Sequence, residues 1–428
     1  MANEVFAKLP EYIQHGLKKV AGEQGFTDGG CRFEFEDGSQ KGDGFIGDLF
    51  KVFIREAGRD DLLVLCKTLP EHEIRKRYSI GLFHREVQAY TEVLPMLYKF
   101  QKEKGVGESD PEGFWNAPKC YYAYCDVGKL EGVVIMEDLR EKGFRMWNKL
   151  EAVDFEHTRL MMIRLGKLHA ISFAMKEQQP EVFERFTHLK DPFAKLIEHE
   201  PGQHMKKMFN ANCERAIGTL DDDDAESRSK MQPIRGVVTD LYIADAKSEE
   251  ANQYAVIGHG DCWINNVMYS YTNDSLIPNE IRLLDWQLCR YTSPVYDLMY
   301  FICVSTDESM RAKYYNQLLD IYYQSLGDHL RRLGGDPDKQ FPRAALDDQL
   351  KRFGRFGLLI SFLVLPMICT PNDEMPDVGE KMEKAQKELQ AGEEGKSSVI
   401  FSKTELANAM YCERMKGLIK DLVRFGYL

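Results

Sequence analysis

The hydrophobic pattern of the first third of the chain predicts an amphipathic helix followed by a small sheet. Apolar residues recur at helical spacing near the N-terminus, at Val5, Leu9, Tyr12, Ile13, Leu17 and Val20. Short apolar runs bounded by turn residues then predict strands over 32–37, 49–55, 61–69, 119–125 and 132–136. Between the third and fourth strands, a helical stripe runs from Phe83 to Leu97, and Pro95 predicts a stop or kink in it near Leu94.

The remainder of the chain is predicted to be mainly helical. Helical stripes lie over 161–175, 297–305, 343–365 and 411–422, and Gly426 is a stop signal for the last of these helices. The acidic run Asp221–Asp224 and the Glu/Lys-rich stretch 372–398 have no useful apolar period, so both are interpreted as solvated loops. A sheet-rich first third followed by helices predicts a two-lobe α+β protein, divided into residues 1–138 and 139–428.

Composition and charge narrow the class of protein. The 428 residues are 43% hydrophobic and 29% charged, the balance of a soluble globular protein. The formal net charge of −12 disfavours nucleic acid and anionic lipid as partners. The ten cysteines show no CxxC pair and no zinc-ligand spacing, which predicts reduced thiols in the cytoplasm. The most apolar segment, 358–367, is far shorter than the roughly twenty residues that cross a bilayer, so no membrane insertion is expected.

Gly42, Gly44 and Gly47 form a GxGxxG sequence between the first two predicted strands. Glycines of this kind allow backbone N–H groups to approach a phosphate closely. An ordinary hairpin turn explains the same residues equally simply. A dinucleotide site would require a helix after the third glycine, whereas residues 49–55 look like a strand.

Lys67 ends an otherwise apolar strand, where a buried ammonium requires an anionic partner. Glu86 lies on the inner side of the striped helix, because Phe83 and Tyr90 flank it at helical spacing. A Lys67–Glu86 pair is therefore predicted. A purely structural salt bridge explains the pair as well as a catalytic one does.

Two further motifs carry oxygen ligands. The sequence HGDCWINN, at 259–266, contains Asp261 and Asn266 on a predicted tight loop. A carboxylate there can orient a hydroxyl group while the amide oxygen reaches toward a metal ion. Asp285 ends a predicted strand over 281–285 and opens the sequence DWQ, a suitable position for binding a divalent metal.

The order of these motifs resembles the protein-kinase-like fold, and in particular its branch of aminoglycoside phosphotransferases and choline kinases. Within that branch, VLCKTLP at 64–70, MEDL at 136–139, HGDCWINN and DWQ resemble the ecdysteroid kinase-like group of arthropods. The resemblance covers the chain from about Gly42 onward. It implies a bilobal α+β fold, with a small antiparallel sheet and one main helix in the N-lobe and a larger, mainly helical C-lobe.

The resemblance also implies a role for each motif. Asp261 would accept or align the proton of a substrate hydroxyl, and Asn266 and Asp285 would hold Mg²⁺. Lys67, braced by Glu86, would pair with the phosphates of ATP. The implied nucleotide-binding set further contains the loop glycines Gly42, Gly44 and Gly47 and the adenine-contacting hinge residues Met136, Glu137 and Leu139.

The implied activity is transfer of the γ-phosphoryl group of MgATP to a hydroxyl of an ecdysteroid or similar apolar alcohol. A protein kinase is disfavoured, because Asp285 precedes Trp286-Gln287 in place of Phe-Gly and no Ala-Pro-Glu segment follows. A choline or ethanolamine kinase, a broad detoxifying kinase, and a catalytically silent steroid- or lipid-binding kinase fold are the alternatives. Retention of the Lys67, Asp261, Asn266 and Asp285 set favours an enzyme.

Three polar residues are interpreted as structural. His169 is expected to be a packed, hydrogen-bonded histidine, and Asp297 a buried acceptor that braces the catalytic loop. Cys262 adjoins Asp261 but has no evident base, so we expect an inert thiol.

Overall fold

A five-stranded antiparallel sheet forms the centre of the first lobe. The computed structural model describes residues 2–37, 47–198, 202–272, 275–375 and 404–428. The strands are β1 Arg32–Asp37, β2 Asp48–Arg55, β3 Leu62–Thr68, β4 Cys120–Asp126 and β5 Glu131–Glu137. They lie in the order β1-β2-β3-β5-β4, and every neighbouring pair is antiparallel. The five predicted strands are confirmed to within one residue at each end.

Two N-terminal helices, α1 Ala2–Lys8 and α2 Glu11–Glu23, lie at one side of this sheet. Leu17 and Val20 of α2 are fully buried against Val64 and neighbouring apolar residues of the sheet. The sequence pattern predicted one helix, but Pro10 divides it, because a proline disfavours the helical conformation of the residue before it.

Helix α3, Glu73–Gln88, covers the opposite face of the sheet. Phe83 is fully buried there, and a Cβ atom at Gly132 of β5 would lie only 2.7 Å from its ring. A π-helical turn, Ala89–Val93, connects α3 to α4, Leu94–Glu103. The expected discontinuity near Leu94 is confirmed, and Pro95 lies in the first turn of α4, where its missing N–H leaves no hydrogen bond unmade.

The second lobe is mainly helical. Helices α5, Phe155–Gln178, and α13, Glu308–Arg332, pack side by side, and a Cβ at Gly166 would lie 2.7 Å from the Tyr322 carbonyl oxygen. The other helices are α6 Pro180–Glu184, α7 Pro192–Glu198, α8 Gly202–Ile217, α9 Ala225–Met231, α10 Val238–Asp245, α11 Ser248–Ala251, α12 Val295–Ser305, α14 Pro337–Gln340, α15 Arg343–Phe353, α16 Phe356–Ile368 and α17 Glu405–Phe425. Among the described residues, none of the helices combines the length and the apolar character needed to cross a bilayer.

One prediction for this lobe is wrong. The single helix expected over 343–365 is two helices, because the chain turns at Gly354, where a Cβ would lie 2.5 Å from the Leu350 carbonyl oxygen. The acidic run is an exposed loop as predicted, and Asp221 pairs there with Lys416 at 2.9 Å and Lys420 at 3.0 Å on the last helix. Asp224 caps the N-terminus of α9. The predicted stop at Gly426 is confirmed by its left-handed conformation, with φ of 76°.

Short strands position the remaining motifs. β7, Val256–Gly258, pairs with β10, Arg290–Thr292, while β6, Arg145–Met146, pairs with the hairpin of β8, Val267–Tyr271, and β9, Pro278–Leu283. The HGD sequence follows β7, and Asp285 follows β9 after one intervening residue. Both motifs therefore lie where short strands end, close to the large sheet. The division of the chain at residue 138 stays a prediction, although β5 ends at Glu137.

Candidate active site

Lys67 joins the two lobes through a pair of carboxylates. Its Nζ lies 2.7 Å from Glu86 Oε2 on α3 and 3.0 Å from Asp285 Oδ1 of the second lobe. The predicted Lys67–Glu86 pair is confirmed as a contact, and Asp285 is brought to the same ammonium. Three residues that are far apart in sequence thus form one ion cluster.

Burial shapes the charges of this cluster. Burial alone would lower the pKa of Lys67, but the nearby carboxylates of Asp285 and Glu86 raise it above the usual value. Burial raises the pKa of Glu86, whose side chain is 1% exposed, while Lys67 opposes that rise and Asp285 adds to it. Two carboxylates beside one ammonium leave an excess of negative charge. The cluster is therefore electrostatically suited to a further cation.

The HGD loop needs glycine for its path. Gly260 has φ of 86°, and a Cβ on it would lie 1.9 Å from the Leu288 carbonyl oxygen. Asp297, on α12, accepts hydrogen bonds from the backbone N–H of His259 at 2.7 Å and of Gly260 at 2.9 Å. The prediction that Asp297 braces this loop is confirmed.

Asp297 is itself held by a buried polar chain. His169 lies 3.2 Å from Asp297 Oδ2 and 2.9 Å from the hydroxyl of Tyr322, so the prediction of a hydrogen-bonded structural histidine is confirmed. Burial alone would raise the pKa of Asp297, but hydrogen bonds from His169 and the Gly260 amide help lower it to about 2. The loop is consequently supported by a permanently charged acceptor.

His259 links the HGD and DWQ motifs. Its Nδ1 accepts from the Asp261 N–H at 3.2 Å, so its Nε2 must donate to the Leu284 carbonyl at 2.8 Å. Burial lowers the pKa of His259, in agreement with this neutral tautomer. The ring also packs edge-on against Trp286, with centroids 4.7 Å apart. The motif histidine thus fixes the separation of the two loops.

Asp261 is oriented by two side chains that the sequence interpretation missed. The Tyr300 hydroxyl donates to Asp261 Oδ1 at 2.8 Å, and Gln287 Nε2 to Oδ2 at 3.4 Å. Burial raises the pKa of Asp261 to about 6, and the charge of Asp285 adds to the rise. A signal for Tyr300 was present, since it follows Asp297 by three residues and therefore shares its face of α12.

Asn266 and Asp285 offer side-chain oxygens of the kind that Mg²⁺ binds. Asn266 donates through Nδ2 to the Asp261 carbonyl at 3.0 Å, which directs its amide oxygen the other way. Asp285 has φ of 61° and ψ of 71°, a left-handed conformation uncommon for residues other than glycine and found at functional sites. No cluster of three or more His, Cys, Asp or Glu ligands exists among the described residues.

Two of the predicted nucleotide-binding glycines, Gly42 and Gly44, lie outside the described residues. Gly47 lies within them, close to β3, where a Cβ would lie 2.5 Å from the Thr68 carbonyl oxygen and 3.5 Å from Lys67 Cγ. The loop therefore ends directly beside the lysine, which permits contact with a phosphate held there.

The hinge segment leaves β5 at the edge of the cleft. Met136 and Leu139 are buried, and the Glu137 N–H donates to the Lys119 carbonyl at 3.0 Å. The Glu137 carboxylate accepts from the Lys119 N–H at 2.7 Å. The backbone N–H of Glu137 is therefore already hydrogen-bonded within the sheet region, so a contact of that N–H with adenine is disfavoured.

Comparison with models of protein families identifies the family of this chain. The model of the ecdysteroid kinase-like family matches residues 41–335, more than half of the chain. The chain belongs to the ecdysteroid kinase-like family. Together with the antiparallel sheet and the helical second lobe, this membership gives the bilobal α+β kinase-like fold expected from the motifs. It also supports a small-molecule kinase as the broad class of activity.

Structural neighbours of this ecdysteroid kinase-like protein are distant. An ethanolamine kinase from Plasmodium vivax is 12% identical, with 84% of this chain and 91% of that chain covered and a TM-score of 0.38. A macrolide 2′-phosphotransferase from Brachybacterium faecium is 13% identical, with 91% and 98% covered and a TM-score of 0.35. A comparison with curated protein sequences finds no match. The family assignment rests on the family model.

Cys262 remains inert in this ecdysteroid kinase-like site. Its side chain is buried, and burial raises the pKa of its thiol well above the usual range. A thiol that stays protonated is a poor nucleophile, which agrees with the structural interpretation of the residue.

Proposed function

We propose that this protein is a kinase that transfers the γ-phosphoryl group of MgATP to a hydroxyl of an ecdysteroid or similar apolar alcohol. The observation that carries this proposal is the meeting of Lys67 and Asp285 at 3.0 Å, beside a buried and doubly hydrogen-bonded Asp261. Phosphoryl transfer needs alignment and neutralisation of charge more than covalent help, and this small set supplies both.

Each residue has a distinct part in this proposal. Lys67 binds the phosphates of the nucleotide while Glu86 holds the lysine side chain in place. Asp261 accepts the proton of the acceptor hydroxyl, because Tyr300 and Gln287 hold its two oxygens in a fixed orientation. Magnesium, held by Asn266 and Asp285, would neutralise charge on the phosphate oxygens.

Local charge has to draw in the nucleotide, since the protein as a whole carries a formal charge of −12. The ammonium of Lys67 is engaged by two carboxylates, and its third N–H can donate to a phosphate while Glu86 stays in place. A cation at Asp285 would free a further donor of Lys67 for the nucleotide. Binding of the metal would therefore strengthen binding of the nucleotide.

An acceptor panel tests the proposal directly. Purified protein is incubated with MgATP and, separately, an ecdysteroid, a sterol, choline and ethanolamine, and products are read by mass spectrometry. We expect a mass gain of one phosphoryl group on the ecdysteroid, and none with the Asp261→Asn variant. Phosphorylation of choline or ethanolamine alone would overturn the proposed acceptor class.

A measurement of nucleotide binding distinguishes a kinase with a different acceptor from a catalytically silent fold. Titration calorimetry with ATP in the presence of Mg²⁺ should give heat for the wild type and much less for Lys67→Ala. Absence of both heat and phosphorylated product would support the catalytically silent alternative and contradict the kinase.

A further inference from the structure

A partly buried arginine without a direct carboxylate partner lies where α12, α16 and α17 meet. Arg414 of α17 donates through Nη2 to the Val304 carbonyl at the end of α12, at 2.9 Å. Its Nε and Nη1 atoms are shielded from solvent and have no hydrogen-bond partner among the described residues. Buried polar groups in folded proteins nearly always have partners, so two such atoms on one charged group require an explanation.

Two further hydroxyl groups without partners belong to residues next to this contact in the fold. Tyr411 lies three residues before Arg414 on the same helix face, and its buried hydroxyl also has no partner among the described residues. The same is true of the hydroxyl of Ser305, which adjoins Val304. The Arg215 guanidinium of α8 stacks on the Tyr411 ring at 3.8 Å. The cluster is rich in hydrogen-bond donors and poor in acceptors.

Two buried arginines of the protein, unlike Arg414, have a direct carboxylate partner. Arg311 Nε lies 2.6 Å from the buried carboxylate of Asp421, and Arg290 pairs with the buried carboxylate of Asp191. In the part of the chain that the structure describes, no carboxylate forms such a pair with Arg414. Burial lowers the pKa of Arg414, and the charges of Asp307 and Glu413 oppose that effect only in part.

The electrostatic field at this place is positive. Burial raises the pKa of the Cys369 thiol at the end of α16, and the positive charges of Arg414, Arg215 and Lys149 oppose that rise. Three cations from different segments thus act on one buried point, in a protein whose overall charge is negative. The positive potential at this place favours an anionic group.

We propose that Arg414, Tyr411 and Ser305 form a buried oxyanion-binding site, with Arg215 and Lys149 contributing positive charge. The ligand is a sulfate, phosphate or carboxylate group, because these groups present several acceptor oxygens to donors and a guanidinium binds them with geometric specificity. A neutral ligand would leave the charge of Arg414 unbalanced.

The position of the site suggests two sources for the oxyanion. Val304 follows Tyr300 by one turn of α12, and the Tyr300 hydroxyl donates to Asp261 at 2.8 Å. The oxyanion is either a free ion or an anionic group of the acceptor whose hydroxyl lies at Asp261. The second of these sources, an anionic group of the acceptor, rests on the proposed function, whereas the site itself does not.

Thermal unfolding in sulfate and in chloride, at matched ionic strength, tests the site without any enzymatic reaction. The variants are Arg414→Met, which removes the charge at similar volume, and Lys416→Met, a control on the same helix whose partly exposed ammonium pairs with Asp221. We expect saturating sulfate to raise the midpoint of the wild type and of the control by about 3 °C more than that of Arg414→Met. The general stabilisation by sulfate is common to all three proteins, so only this difference counts.

The order of stabilities in chloride is a second readout. Without an oxyanion, Arg414→Met should unfold at the same temperature as the wild type or higher, since it removes a guanidinium that has two shielded nitrogen atoms without partners. An equal sulfate response in all three proteins would overturn the site. Unfolding of Arg414→Met at a clearly lower temperature in chloride would also overturn it, because the arginine would then be stabilising without a ligand.

A kinetic comparison distinguishes the two sources. The wild type and Arg414→Met are supplied with MgATP and either a steroid alcohol bearing a carboxylate or its methyl ester. A lower KM for the carboxylate, lost in Arg414→Met, supports the acceptor's own group. A sulfate response without this preference supports a free ion. If no alcohol is phosphorylated, the proposed function fails while the unfolding result still decides the site.

Discussion

The catalytic assignment of a single carboxylate, Asp261, can be tested at the residue scale. Asp261→Asn keeps the shape of the side chain and can still accept from Tyr300, but it cannot take up a proton in the same way. We expect kcat to fall by roughly 10²- to 10⁴-fold with little change in ATP binding, the effect of losing a positioned base. Steady-state kinetics and calorimetry measure the two quantities. Cys262→Ala is the matched control, because the buried thiol of Cys262 adjoins Asp261 but has no role in transfer. Unchanged turnover in Asp261→Asn would remove Asp261 from the mechanism.

The Lys67 ammonium is expected to contribute through charge alone. Lys67→Ala should reduce transition-state stabilisation by about 3 kcal/mol, the scale of one lost electrostatic donor, measured as a decrease in kcat/KM. Glu86→Gln keeps a hydrogen-bonding group beside the lysine and should reduce kcat/KM less. If both variants retain wild-type kcat/KM, the cluster is structural, as the second interpretation of the sequence allowed.

A buried histidine in α13 makes the stability of the helical lobe depend on pH. His329 is 3% exposed, and neither ring nitrogen has a partner among the described residues. Burial lowers the pKa of His329, and the charges of Lys167 and Arg332 add to this effect while Glu112 and Asp110 oppose it; together they bring the pKa to about 3. The unfolded chain, with an ordinary histidine, therefore binds the extra proton between about pH 6.5 and 3, so stability falls as the pH falls through this range.

Urea unfolding at pH 7 and pH 5 measures this effect. The histidine alone should lower the free energy of unfolding by about 2 kcal/mol over that interval, and His329→Leu should lose that part of the pH dependence. An identical change with pH in the wild type and the variant would mean that His329 is protonated in the folded protein without difficulty.

Elements with a strong local pattern were predictable, whereas those decided by contacts between distant residues were not. All five strands of the sheet were located because their alternation and turn residues are local. A side chain at Gly354 would meet the ring of Tyr427, which lies 2.5 Å from where a Cβ would be. Gly354 is itself a local signal against a continuous helix, but the prediction followed the apolar stripe on both sides of it.

The candidate site shows the same division. The motif residues Lys67, Asp261 and Asp285 were found in the sequence because their types and order are distinctive. Tyr300 and Gln287 contact Asp261 only because α12 and the DWQ turn fold over the HGD loop. The direct approach of Lys67 to Asp285 likewise depends on how the lobes meet.

At the scale of the whole molecule, polar contacts connect the two lobes at several places besides the Lys67–Asp285 pair, among them the Lys167–Glu112 and Arg332–Asp110 pairs. Arg85, adjacent to Glu86 on α3, donates to the Lys190 carbonyl at 3.0 Å and to the Cys289 carbonyl in the second lobe. Asn116, in the long connection before β4, donates to the Ile281 carbonyl at 2.8 Å. The helix that braces Lys67 is therefore attached to the lobe that contains Asp285.

Removal of this attachment should loosen the cleft without unfolding either lobe. Arg85→Met replaces the buried guanidinium with an apolar chain and loses both carbonyl contacts, at a cost of about 1–3 kcal/mol. We expect faster hydrogen exchange in α3 and about a tenfold lower kcat/KM, since Glu86 would hold Lys67 less firmly. Arg77→Met, on the same helix but paired with Glu73 at the surface, is the control and should leave both unchanged. Unaltered exchange and kinetics in Arg85→Met would contradict this role, because the ion cluster would then be positioned without the Arg85 contacts.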